Sequence, residues 1–398
     1  MEAKRSPLTA VVALTAVFSL AICFIIIGSV SVELQQALGI DESRIGTLVL
    51  ALFLTSTIVQ FFIGPLVDKV GHKPVVTVGF LVTAASMFLL GLARSYALAL
   101  WACIFLGIGA MCLNTVGNTL IPQVLFGGKD PARASNLGNA FFGLGYVLTP
   151  LLVVLFLRVL GLSYASALAI LGVLMLVFLV ISLLASYPRA EIGFQLSMAA
   201  RLLGHGAVLI AALALFCYIA LESSMGTWIK PYMTETLGGA ENPSAAANAG
   251  LVLSLFGVAM MVGRFLTSTV KNLTAIGTKV ITAVSIVAAL SILVMRLTGR
   301  PAVAILAVII TGLVFAPIFP TIVGVTFAKY EPRLYGSIFG IIFAIGLLGG
   351  TIVPKLIGNL SAGSSVRASL SIAVAMAVIL SVISLFLGKA GRPEPARK

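Results

Sequence analysis

Twelve long apolar runs dominate the chain, near residues 8–31, 45–63, 75–93, 97–126, 137–158, 162–186, 206–229, 248–270, 276–297, 302–327, 335–358 and 366–387. Nearly every charge lies in the short breaks between them. A membrane-spanning helix needs about 20 apolar residues, so each run is long enough to cross a bilayer. Only 9% of the residues are charged, against roughly 25% in soluble domains. Such a chain could not cover its surface with polar groups in water, so its solvent is lipid. Helices are expected, because backbone facing lipid must satisfy its own hydrogen bonds. The runs are also too continuous for barrel strands, which alternate apolar and polar residues. The first is too long for a cleaved signal peptide, and no A-x-A-like site follows it. The sequence therefore predicts an all-α integral membrane protein with twelve transmembrane helices.

The longest polar break, Tyr187 to Gly206, separates six runs from six. This predicts an N-terminal six-helix bundle over 1–186, a cytoplasmic linker over 187–205, and a C-terminal six-helix bundle with a short cytoplasmic tail over 206–398. Lys and Arg set the orientation, since they collect in cytoplasmic loops. With both termini inside, most of the 25 basic residues fall on that side, among them Lys4, Arg5, Lys69, Lys73, Lys129, Arg133, Arg189, Arg201, Lys271, Lys279, Lys329, Arg333, Lys389, Arg392, Arg397 and Lys398. The expected location is the plasma (inner) membrane, multi-pass, with both termini cytoplasmic. The net charge of +13 follows from this asymmetry and suits anionic headgroups. A nucleic-acid partner is not expected, because the bases are scattered over many loops and form no stripe.

Residues 64 to 73 read Gly64-Pro65-Leu66-Val67-Asp68-Lys69-Val70-Gly71-His72-Lys73, predicted as a charged turn between the second and third helices. They resemble the G-x-L-x-D-[RK]-x-G-[RK]-[RK] signature of the major facilitator superfamily, with His72 in place of one base. The resemblance implies two six-helix halves around a midplane substrate site. It also implies a cytoplasmic gate in which Asp68 meets the start of the eleventh helix. Gly64, Asp68, Lys69, Gly71 and Lys73 are the expected gate residues. Arg264 joins them, because Gly263-Arg264-Phe265-Leu266-Thr267 is an eroded echo of the same loop; the alternative is that it binds an anionic substrate.

Further stretches resemble the fucose–galactose–glucose:proton symporter family. These are Cys112 to Thr119 in the fourth helix, Asn136 to Phe141 in the fifth, Tyr218 to Trp228 in the seventh, Ile318 to Ile322 in the tenth, and Gly349 to Pro354 in the eleventh. The resemblance implies a monosaccharide carrier coupled to protons. The chain departs from that family where its symporters carry acids, because the fourth-helix position is Asn114 and Leu8 to Ser31 contains no acid.

Glu222 is the only acid deep within a predicted span. Intramembrane ionisable groups are functional by default, so Glu222 is expected to couple protons, bind substrate, or both. The alternative is a structural acid paired with Lys355 or Lys230. Asn114 and Asn118, four apart on one helix face, and Asn139 are expected to hydrogen-bond a sugar, although buried Asn also joins helices. Tyr218 and Trp228 could stack on a sugar ring.

The expected function is a secondary transporter for a small polar solute, most of all a monosaccharide, with proton coupling through Glu222. An uncoupled facilitator and an exporter of an organic anion or drug-like compound are the rivals. No Gly-Pro pair of the antiporter type precedes Pro150, which weakens efflux. A membrane sensor is disfavoured because no signalling domain is attached. Enzymatic activity is not expected, because there is no nucleotide loop and no metal spacing. Cys23, Cys103, Cys112 and Cys217 read as small core residues. No cofactor or metal is expected. Sodium, held by Glu222, Ser223 and Ser224, is the alternative coupling ion, and the protein is expected to be a monomer in the bilayer.

Overall fold

The computed structural model describes residues 7–40, 42–188, 201–239 and 245–388. Twelve helices among them are long and apolar enough to cross a membrane. They are α1 (Pro7–Ser29), α2 (Glu42–Val70), α3 (His72–Gly91), α4 (Tyr96–Val124), α5 (Pro131–Val154), α6 (Tyr164–Leu184), α7 (Gly206–Thr236), α8 (Ala245–Ser268), α9 (Leu273–Leu297), α10 in two segments (Pro301–Phe315 and Ile318–Phe327), α11 (Tyr335–Ala362) and α12 (Ser371–Leu387). Most of the linker expected over 187–205 lies outside the described residues. So do Lys4, Arg5, Arg189, Lys389, Arg392, Arg397 and Lys398.

The break in α10 falls at Pro317, which lacks the N–H that would continue the helix. Large apolar side chains such as Phe62, Leu92, Leu184, Leu251 and Leu306 stand outward on the helices. In water such exposure would be a liability, whereas in lipid it is the favourable surface.

Contacts divide the chain into two compact units. The first runs to Gly128 and adds the chain from Phe141 through α6 and Pro332–Gly340. The second holds Lys129–Ala140, α7 to α10, and the chain from Ile341 onward. In the first unit α3 packs on α4 and α6, and α4 also packs on α1 and α2. In the second the same pattern recurs six helices later, with α9 on α10 and α12, and α10 on α7 and α8. Glycines set these close approaches, as small residues do where helices meet in lipid. A Cβ on Gly107 would lie 2.6 Å from the Leu52 carbonyl oxygen, and one on Gly312 would lie 2.6 Å from that of Phe256.

The charged stretch 64–73 departs from the expected turn. α2 continues through Gly64 and Pro65 to Val70, and the reversal is made by Gly71 alone, at φ 85° and ψ 172°. That backbone region is essentially closed to residues with a Cβ. Gly71→Ala should therefore lower stability by about 1–3 kcal/mol, read as a drop in the melting temperature of the detergent-purified protein. An unchanged melting temperature would contradict this account of the turn.

Candidate functional site

Asp68 occupies the last turn of α2 and is buried. Its two carboxylate oxygens accept the N–H groups of Gly336 at 2.8 Å and Ser337 at 2.6 Å, at the start of α11. These are among the orphan donors that every helix N-terminus leaves, and the positive end of the helix dipole favours a carboxylate there. The contact needs glycine on both sides, because the Gly64 and Gly336 backbones approach so closely that neither has room for a Cβ. Lys73 donates to the Leu183 carbonyl at 2.9 Å, near the last turn of α6. Lys69 is exposed, and His72 Nε2 lies 3.1 Å from Thr119 Oγ1. Gly64, Asp68, Gly71 and Lys73 thus share one end of the first unit. Arg264 is not with them.

A second acid, which the sequence reading did not single out, makes a comparable arrangement in the second unit. Asp130 precedes Pro131, the first residue of α5, and accepts from Thr274 Oγ1 at 2.6 Å and from the N–H groups of Leu273 and Thr274 at 3.0 Å each. It therefore caps α9, which follows the left-handed residue Asn272. Arg133 Nε donates to the Ser268 carbonyl at 2.7 Å, at the end of α8. Acid followed by proline is a helix-start signature, so the position was readable, but its partner 143 residues away was not. Burial alone would raise the Asp130 pKa, yet the hydrogen bonds from Thr274, Arg133 and Leu273 outweigh it and hold the group below its usual value.

A depressed acid contributes stability that is present above its unfolded pKa and lost as pH falls through the folded value. Asp130→Ala should cost about 2 kcal/mol, with the difference in melting temperature constant from pH 5 to 8 and shrinking only below about pH 4. A difference that disappears near pH 7 would contradict this.

Asn114 and Asn118 lie in the first unit and are almost wholly buried. Their carboxamides form a chain. Asn118 Nδ2 donates to Asn114 Oδ1 at 2.9 Å, Asn114 Nδ2 to Gln60 Oε1 at 3.3 Å, and Gln60 Nε2 to Thr115 Oγ1 at 3.3 Å. The amides thus tie α4 to α2, the alternative that the sequence left open for buried Asn.

Glu222 stands midway along the 31-residue α7. Its partner is neither Lys355 nor Lys230 but Arg264 of α8, whose Nη2 donates to Glu222 Oε1 at 3.1 Å. The two ends of this pair differ in access, with the Arg264 side chain 4% exposed and that of Glu222 32%. Arg264 Nη1 also donates to the Asn139 carbonyl at 3.4 Å. The Asn139 carboxamide turns back to the Ser135 carbonyl, so this residue contributes its backbone and not its side chain. Tyr218, one turn before Glu222, is fully buried. Its ring packs on Phe315 and Phe319 at centroid distances of 6.0 and 6.3 Å.

The structure therefore brings Tyr218, Glu222, Asn139 and Arg264 together. Trp228 stands apart, with Nε1 bonded to the Pro354 carbonyl at 3.0 Å and its ring against Gly358. Among the described residues no group of three or more His, Cys, Asp or Glu side chains could hold a metal ion.

A buried guanidinium facing a partly accessible carboxylate can exchange a proton and an anion, because protonation of the acid breaks the pair and frees the base for another anion. Asp68, Asp130 and Glu235 serve helix N-termini instead, Glu235 accepting from the Val366 N–H at 3.1 Å. Glu222 differs from them in standing mid-helix against a side-chain cation.

In sequence, no curated protein matches the chain. Among solved structures it is similar to the fucose transporter FucP in its outward conformation, with a TM-score of 0.78, 18% identity, and coverage of 95% of this chain and 98% of that one. It is also similar to the proton:xylose symporter XylE, at 0.75 and 14% over 96% and 95%. A human organic anion transporter matches at 0.69 and 15% over 96% and 100%. These identities establish a shared fold. The Major Facilitator Superfamily family model matches residues 12–354, from within α1 to within α11 and with the Asp68 signature among them, and the chain belongs to that superfamily of transporters.

Proposed function

We propose that the chain is a secondary active transporter that moves a small polar solute by alternating access and couples it to protons through Glu222. The observation that carries this reading is the Glu222–Arg264 pair, an acid at mid-helix with one third of its side chain accessible and its partner buried. The helices packed against α7 include α10 and α12, which contain no charged residue. On α8 the facing charge is Arg264, and on α11 Lys355 is exposed.

A monosaccharide is the solute favoured by the resemblance to sugar symporters, and two of the similar structures are fucose and xylose symporters. The rival is an organic anion, favoured by the buried cation itself and by a similar fold in an organic anion transporter. The remaining assignments belong to the same proposal: halves over 1–186 and 206–398, both termini cytoplasmic in a plasma (inner) membrane, and a cytoplasmic gate at Asp68. The glycine approach and two N–H bonds at Asp68 support that gate.

The test is accumulation in proteoliposomes. With an inward proton gradient, one of a panel of labelled hexoses, organic carboxylates and amino acids should accumulate above protein-free vesicles, and a protonophore should abolish the accumulation. Accumulation that survives the protonophore would overturn proton coupling.

A further inference from the structure

We infer that the second unit binds the phosphate of an anionic phospholipid at Arg296, Arg300 and Arg367, at the end remote from Asp130. The inference goes beyond the transport reading and stands without it, since the bilayer itself supplies the ligand.

The three arginines gather at one turn. Arg296 lies in the last turn of α9, which ends at Leu297. Arg300 is the residue from which α10 starts. Arg367 comes from the short helix Val366–Ser369, which precedes α12 and packs on α7 and α9. Its Nη1 is 3.8 Å from the position of a Cβ on Gly299. The α9–α10 turn thus carries one base on each side and receives a third from the chain before α12.

The protein leaves donors of this cluster unused. A guanidinium stays charged at any working pH and offers five N–H donors. The Nε atoms of Arg296 and Arg367 are buried and have no hydrogen-bond partner. Buried donors in that state are uncommon, and each one needs a physical reason. The acid beside them, Glu235 of α7, accepts the Val366 N–H at 3.1 Å and pairs with none of the three among the described residues. Tyr232, also on α7, donates its hydroxyl to the Met295 carbonyl at 2.7 Å.

Helix dipoles do not account for the cluster. They favour a base in the last turn of a helix, as at Arg296, but disfavour one at a helix start, as at Arg300. With the orientation proposed above, this is also the outer end, where loops are poor in bases. An anion shared by the three guanidiniums gives them a common role.

The neighbouring surface selects the source of that anion. On α9, Val287, Leu290, Val294 and Leu297 recur at helical spacing and are all exposed, as is Leu306 on α10. At 1.5 Å per residue the stripe on α9 is about 15 Å long, half of a hydrocarbon core of about 30 Å. An acyl chain matches that length with its phosphate at the turn. The planar fork of arginine suits phosphate oxygens. A soluble anion would gain nothing from the stripe.

The experiment uses the full chain purified in a neutral detergent. Phosphatidylglycerol is titrated in, and affinity is read from the melting temperature and from the lipid retained in native mass spectrometry. It should raise the melting temperature and stay bound, more strongly than phosphatidylcholine, whose headgroup has no net charge. Arg296→Gln with Arg367→Gln should weaken phosphatidylglycerol binding about 25-fold, taking about fivefold for each base lost near a lipid surface. Lys279→Gln, which changes an exposed base near the other end of α9, should bind as the wild type does. If the double variant does not melt cooperatively, the single variants decide, with Arg367→Gln weaker by about fivefold and Arg367→Lys, which keeps the charge and loses the fork, affected less.

Wild-type affinity in the arginine variants, or no preference for phosphatidylglycerol over phosphatidylcholine, would overturn the inference. Equal stabilisation by glycerol 3-phosphate would assign the site to a soluble anion and overturn the lipid source. None of these outcomes bears on Glu222 or on transport.

Discussion

Glu222→Gln should abolish proton-driven accumulation while leaving solute exchange intact. The amide is close to the carboxylate in shape and keeps α7 packed, but it neither gains nor loses a proton in the working range. In the wild type, on the proposed coupling, Glu222 parts from Arg264 when it takes up a proton. In the variant Glu222 is always neutral in effect, so the pair is permanently open and solute can exchange for solute without a proton. Counterflow of labelled against unlabelled solute should proceed at a rate comparable to wild type, while accumulation under a proton gradient falls to the level of protein-free vesicles. Undiminished accumulation would remove Glu222 from the coupling step. Loss of counterflow together with accumulation would assign it to substrate binding alone.

Gly336→Val should have the largest structural effect of any conservative change at the Asp68 end of the first unit. A Cβ on Gly336 would lie 2.6 Å from Asp68 Oδ1 and closer still to the Gly64 carbonyl. The obstacle is backbone, so no rotamer change can relieve it. α2 and α11 must separate, and Asp68 then loses both N–H donors. Overpacking costs about 1–3 kcal/mol and each hydrogen bond to a buried charge about 1.5–3 kcal/mol, so a loss of about 4 kcal/mol or more is expected, read by thermal or denaturant unfolding in detergent. The control is Gly257→Ala in α8, where nothing lies within 4 Å of the added Cβ. That variant should be neutral or more stable by up to about 1 kcal/mol. Equal behaviour of the two variants would contradict the close approach.

Much of the fold was legible because lipid imposes simple rules. Twelve apolar runs gave twelve helices, and the Asp68 signature gave the contact with the start of the eleventh. The departures lie where local chemistry decides the structure. Gly64-Pro65 looked like the start of a turn, yet proline at this position leaves the helix unbroken and one glycine makes the reversal. The sequence predicts the fifth helix from residue 137, yet it starts at Pro131, with Asp130 just before it and Arg133 and Asn136 in its first turns. Those polar residues bond to Thr274, Ser268 and Thr321, all far away in sequence and so invisible to a local pattern.

The candidate site shows the same limit. Glu222 stood out as an acid within an apolar run, and Arg264 as a base, but nothing in their spacing pairs positions 42 apart. Arg264 was grouped with the gate through its motif echo, whereas its guanidinium reaches Glu222. Asn114 and Asn118 had the expected helical spacing, and the structure shows the amides already holding each other and Gln60.

The number of protons that enter with each solute molecule tests Glu222 as the proposed proton site most directly. Lumenal pH and labelled solute should be followed together in calibrated proteoliposomes of wild type and Glu222→Gln. The account predicts one proton per solute for the wild type and none for the variant. A variant that still carries one proton with each solute would place the coupling group elsewhere in the chain and contradict it.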